Sequence, residues 1–274
     1  MSFLAKILSV LHTTMPEPRL YGPFHLAFCL LAVAGGVILC RKLPPTEHNV
    51  RRLLGICASV CLLLEVYKQI VFTFTVENGQ IVSDYTWHAF PWQFCSTPIY
   101  IGLLAALIKN KRLHHIFCAY LGSFALFAGV AVMAYPSTVF IEIAGINLQT
   151  MIWHGSMVSI GIYLLHSGYT PSAPGTLRRA MPVFAATLAI ACVMNEVIYH
   201  FDLANGELFN MFYISPHYDS LLPLYGPIHE ALPFGLSLII YLLGFSAAAG
   251  VVLFLFHLLE KLYLHLRRRK KQSV

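Results

Sequence analysis

Two residues of this chain could do nucleophilic chemistry together: Cys95, in Phe90-Pro91-Trp92-Gln93-Phe94-Cys95-Ser96-Thr97, and His154, in Trp153-His154-Gly155. The thiolate is the reactive form of cysteine. A neighbouring imidazole can take its proton, leaving an ion pair that attacks an ester carbonyl to give an acyl-cysteine. Among the seven cysteines, Cys95 alone follows a proline and polar neighbours. Cys29, Cys40, Cys57, Cys61, Cys118 and Cys192 stand in aliphatic runs, where a thiol behaves as a small hydrophobe. Cys57 and Cys61 share a helical face, but no His or third thiol is near them in sequence to complete a metal site.

Further polar residues interrupt apolar segments. Glu65 and Lys68 are three positions apart on one helical face, Asn195 and Glu196 precede His200, and His229 and Glu230 open the last apolar run. An unpaired charge in hydrocarbon costs about 2.5–3.5 kcal/mol on insertion scales, so Glu65 and Lys68 should pair. That pair either locks two helices or leaves Lys68, partly neutralised, to hold a lipid phosphate. Asn195 or a backbone N–H would stabilise an oxyanion. The expected site therefore has Cys95 and His154 as its catalytic pair. Glu65, Lys68, Asn195, Glu196 and His229 contact substrate, joined by Asn210 from the adjoining loop. No metal and no cofactor is assigned to it.

The elements that must position these groups follow from composition and charge. With 58% hydrophobic and 11% charged residues, the chain cannot coat a soluble globule of 274 residues. A helix needs about 20 mostly apolar residues to cross roughly 30 Å of hydrocarbon. Seven runs qualify: 24–40, 53–74, 91–108, 116–133, 148–165, 181–200 and 232–257. Lys and Arg occupy alternate connections only: Arg41, Lys42, Arg51 and Arg52, then Lys109, Lys111 and Arg112, then Arg178 and Arg179, and finally Lys261 and the tail from Arg267 to Lys271. Basic loops stay cytoplasmic, which predicts an all-α protein of seven transmembrane helices with its N-terminus outside and its C-terminus inside. Cys95 and His154 then lie within two turns of the outer surface, about 6–9 Å deep at 1.5 Å per residue.

Three regions are expected: an interfacial amphipathic segment over 1–22, a transmembrane catalytic domain over 23–258 and a basic tail over 259–274. The long connection 201–231, rich in Asn, Pro, Tyr and acidic residues, should fold over the outer face, and His114 and His115 should be surface residues of the cytoplasmic side.

The ordered stretches Glu65-Val66-Tyr67-Lys68, Pro91-Trp92-Gln93-Phe94-Cys95, Trp153-His154-Gly155, Asn210-Met211-Phe212 and Leu224-Tyr225-Gly226-Pro227 resemble the family of bacterial YwaF-like proteins and transmembrane protein 164. The resemblance covers about residues 53–243. It implies a Cys-dependent acyltransferase with nucleophile Cys95 and base His154, moving a fatty acyl chain from a diacyl phospholipid to a lysophospholipid without acyl-CoA. It also implies a fold similar to that of the androgen-induced membrane hydrolases, which use Thr and His. The chain departs from its bacterial relatives at Gln93, where they commonly have His.

Competing readings are a lipid hydrolase and a seven-helix sensor or transporter. Hydrolysis would run through the same Cys/His pair or, as in membrane ceramidases, through a metal held by His200, Asp202, His217, Asp219, His229 or Glu230. The last run lacks the Lys of a retinal Schiff base, and no internal repeat marks a transporter. The net charge of +6 resides in short loops and the tail, where anionic headgroups rather than nucleic acid are the partner. The expected setting is a multi-pass protein of the bacterial cytoplasmic membrane or of the eukaryotic endoplasmic reticulum or Golgi, with phospholipid and lysophospholipid as substrates.

Overall fold

The computed structural model describes residues 2–136 and 139–272. Ser2 caps α1 (Phe3–Leu11) by accepting from the Ala5 N–H at 3.2 Å. α1 buries Ala5 and Leu8 and leaves Phe3, Leu4, Ile7 and Val10 exposed, the one-sided apolar pattern expected of an interfacial helix. The bundle follows as α2 (Pro23–Lys42), α3 (Glu47–Val71), α4 (Thr97–Leu107), α5 (Lys111–Tyr120), α6 (Leu126–Ala134), α7 (Ala144–His166), α8 (Pro174–His200), α9 (Gly226–Ala231) and α10 (Phe234–Gln272). α10 thus carries the expected basic tail on as helix; residues 273–274 of that tail lie outside the described residues.

Among the described residues, five helices are long and apolar enough to cross a membrane: Pro23–Lys42, Glu47–Val71, Lys111–Ala134, Pro174–His200 and Phe234–Leu266. Two expected spans differ. The run 91–108 forms a short 3-10 turn, Phe94–Ser96, and then α4, whose 11 residues reach about 16 Å, half of a bilayer core. α7 is long, but it holds Asn147, Gln149, Thr150 and His154 buried at the centre of the bundle.

α5 and α6 are one continuous passage joined through a π-helical turn, Leu121–Ala125. α2, α6 and α7 approach closely through small residues. A Cβ on Gly129 would stand 2.8 Å from the Met157 Cβ and 2.9 Å from the His154 carbonyl oxygen, and one on Gly36 would meet Ile162 at 2.8 Å. Ser159 adds a 2.6 Å bond to the Ala32 carbonyl.

The succession of helices puts the basic connections at one end of the bundle. There Arg51 donates to the carbonyls of Ala105, Ala106 and Ile108, capping the end of α4, and Glu47 pairs with Arg51 at 2.9 Å. His114 lies at this end but is fully buried, between the Ala105 carbonyl and the Tyr169 hydroxyl at 2.7 Å each. The expectation of a surface residue fails because the connection after α7 folds Tyr169 over it.

At the other end the all-α expectation meets a small exception: a hairpin of β1 (Phe74–Glu77) and β2 (Gln80–Ser83). Its turn is Asn78-Gly79, both with positive φ, the geometry that favours this dipeptide between two strands. α1 docks beside it, with His12 bonded to the Val71 carbonyl at 3.0 Å and Tyr67 donating to the Leu11 carbonyl at 2.9 Å.

Candidate active site

Cys95 sits in the 3-10 turn that opens α4, and each neighbour fixes that turn. Phe94 enters an aromatic cluster, 5.3 Å from the ring of Phe184 and 5.2 Å from that of Phe245. Thr97 shares a 2.6 Å hydrogen bond with the Tyr120 hydroxyl, next to the π turn. The Cys95 carbonyl accepts a 2.8 Å bond from the Trp153 indole, which ties the turn to α7 beside His154.

His154 is buried on α7, with Nδ1 2.8 Å from the Thr150 carbonyl. A carbonyl only accepts, so Nδ1 carries the proton and Nε2 is left with its lone pair bare. Among the described residues this buried Nε2 has no hydrogen-bond partner. Such an atom can accept a hydrogen bond or a proton.

Glu65 and Lys68 form the expected pair at 2.9 Å, with side chains only 4% and 16% exposed. Both members of the pair lie within electrostatic range of Cys95, and Lys68 within that of His154. Glu65 Oε1 also accepts from Gln69 Nε2 at 2.6 Å, and Gln69 Oε1 in turn accepts from the Tyr85 hydroxyl at 2.8 Å. Burial and the nearby Glu65 carboxylate push the Tyr85 phenol up to about 12, so it stays a donor at physiological pH. Glu65 Oε2 is a second buried polar atom with no partner among the described residues.

Two hollows lie near these groups, neither lined by Cys95 or His154. A narrow apolar crevice of about 30 Å³ runs from Trp153 and Cys61 between α3, α4 and α7 to Leu54. A wider, open one of about 360 Å³ is bordered by Glu65, Gln69 and Tyr100.

The remaining expected substrate contacts have other positions. Both ends of the Asn195 amide bind Met211, accepting from its N–H at 2.8 Å and donating one amide N–H to its carbonyl at 3.0 Å, so the side chain is tied to the loop. Asn210 accepts from the Ser215 N–H at 2.9 Å and turns its own loop. His229 binds the Ser215 carbonyl at 2.9 Å through Nε2. Glu196 is 38% exposed and pairs with His200 and His217, in a cluster separate from Cys95 and His154.

Gln93 is the functional residue that sequence reasoning treated only as a departure. It accepts from the Phe212 N–H at 2.8 Å and donates to the Asn210 carbonyl at 3.0 Å. With Asn195, and with Tyr241 donating to the Phe212 carbonyl at 3.1 Å, it clamps residues 210–212 onto the bundle. Phe212 and Tyr213 are held at φ of 60° and 57°, a left-handed backbone that non-glycine residues keep only under such constraint. Its sequence signal was an amide two residues before Cys95.

These features define an integral membrane protein whose helices bury a thiol-bearing turn, an imidazole and an ion pair near one end of the bundle. The chain belongs to the TMEM164 family, whose model matches residues 20–259. No curated protein and no solved structure matches it.

Proposed function

We propose that this protein is an intramembrane phospholipid acyltransferase working through an acyl-cysteine at Cys95. The observation that carries the reading is the bare, buried Nε2 of His154, on a helix whose preceding residue holds the Cys95 carbonyl. His154 Nε2 takes the thiol proton, and the sulfur attacks the ester carbonyl carbon of a diacyl phospholipid. The C–S bond forms, the ester C–O bond breaks, and the departing lysophospholipid oxygen takes the proton back. An incoming lysophospholipid hydroxyl then gives its proton to His154 and attacks the thioester carbonyl; the new ester C–O bond forms, the C–S bond breaks, and the Cys95 sulfur takes the proton back from His154.

Lys68, balanced by Glu65, holds the lipid phosphate. The peptide dipoles at the start of α4 favour the oxyanion. The wider hollow beside Glu65, walled mostly by apolar side chains, suits part of a lipid substrate. All seven helical passages lie in the bilayer, with the basic end facing the cytoplasm.

The test is intact-protein mass spectrometry after exposure to phospholipid. A fatty-acyl mass on the wild type that disappears in Cys95→Ala is expected. No adduct on the wild type, or an adduct retained by Cys95→Ala, overturns the nucleophile assignment.

A further inference from the structure

Beyond the thiol site, two imidazoles meet a carboxylate at the far end of α8. His200 Nε2 is 3.1 Å from Glu196 Oε2, and His217 Nε2 is 3.2 Å from the same oxygen. Glu196 Oε1 is shielded from solvent; it lies 3.2 Å from His217 Nε2 but is too poorly aligned for a hydrogen bond. The three ligand atoms all lie within 4.8 Å of one another. Around a tetrahedral zinc ion, with bonds of about 2.0–2.2 Å, neighbouring ligand atoms stand about 3.3 Å apart. A modest closure therefore suffices.

The cluster is also braced. Glu196 and His200 are four residues apart on one helix, so their side chains share a face. The His217 ring lies flat on Tyr199, 3.5 Å away with 1° between the planes, and the His217 backbone N–H donates to the Ser215 hydroxyl at 3.3 Å. The stacking sets the direction of Nε2 before any ligand arrives.

We propose that Glu196, His200 and His217 form a zinc-class metal site that fastens the loop 201–231 to α8. Two neutral imidazoles and a carboxylate suit a borderline divalent ion; calcium and magnesium prefer all-oxygen sets, and copper(I) prefers sulfur. His200, 63% exposed in its side chain, leaves a water-facing side for a fourth ligand. The same loop is held by Gln93 and Asn195 over the thiol-bearing turn, so the ion would brace the cover of that site from its outer edge.

The test uses the full chain in detergent, stripped with chelator, dialysed and titrated with zinc chloride alone. One equivalent of zinc should bind. His217→Ala and Glu196→Gln should each weaken binding at least about tenfold, the smallest loss that follows even from disturbing groups outside the ligand shell. Should a variant not fold, diethylpyrocarbonate footprinting of the wild type decides: zinc should protect both His200 and His217. The absence of stoichiometric uptake, uptake unchanged in both folded variants, or equal labelling of the two histidines with and without zinc overturns the proposal. None of these readouts depends on acyl transfer, so this site and the Cys95 reading can fail separately.

Discussion

Asn195→Ala tests how the loop over the site is held. The substitution removes both bonds to Met211, whose side chain and backbone neighbourhood are fully buried, and strands one N–H and one carbonyl away from water. Each orphaned group costs about 1–3 kcal/mol, so the gross loss is about 2–6 kcal/mol. Release of the left-handed conformations at Phe212 and Tyr213 returns about 1–3 kcal/mol apiece if the loop gives way completely, but Gln93 still grips the Phe212 N–H and the Asn210 carbonyl. The net expectation is about 2–3 kcal/mol, roughly a 5–10 °C fall in the unfolding midpoint for a chain of this size. Asn195→Asp, which keeps an acceptor for the Met211 N–H, should lose about half as much. A thermal melt in detergent and limited proteolysis within 201–231 measure both effects. A midpoint for Asn195→Ala within about 1 °C of wild type, with an unchanged cleavage pattern, refutes the clamp.

Trp153→Phe keeps the ring but removes the 2.8 Å bond to the Cys95 carbonyl; stability should fall by only about 1 kcal/mol, while the rate of acyl-enzyme formation falls at least tenfold in single-turnover measurements. Glu65→Gln leaves Lys68 nearly buried without its partner and should destabilise by about 3 kcal/mol, whereas Glu65→Met with Lys68→Met should recover the melting midpoint but not activity. Equal recovery of both would make the pair purely structural. Gly129→Ala presses a methyl group on the His154 carbonyl and Met157, with an expected loss of about 1–3 kcal/mol in the same melt.

The long apolar runs and the alternation of basic connections were legible because they depend on composition and local spacing. So was the Glu65–Lys68 pair, since both residues lie on one turn of one helix. Asn78-Gly79 announced the hairpin just as locally, but its strands are only four residues each and fall in a stretch that hydropathy treats as a loop. The clamp was not legible: Gln93 and Phe212 are 119 positions apart, and the polar amide of Asn195 gives no hint that a loop backbone will use both its ends. Glu196 was assigned to the thiol site, and His200 and His217 to the metal alternative, because only the folded loop brings His217 to the two residues of α8. His114 was misjudged for the same reason, its partner Tyr169 being 55 positions away.

The wide turn at Leu121–Ala125 amounts to one residue slipped into an otherwise regular helix. Each residue of α-helix advances the side chains by about 100°, so everything after the slip is swung by more than a quarter circle relative to what precedes it. That is how one strand of chain turns its first half toward α4 and α8 and its second half toward α7. Deleting a single residue there would straighten the winding without changing the hydropathy of the segment. It would also rotate Gly129 off the His154 carbonyl and bring a bulkier side chain round in its place.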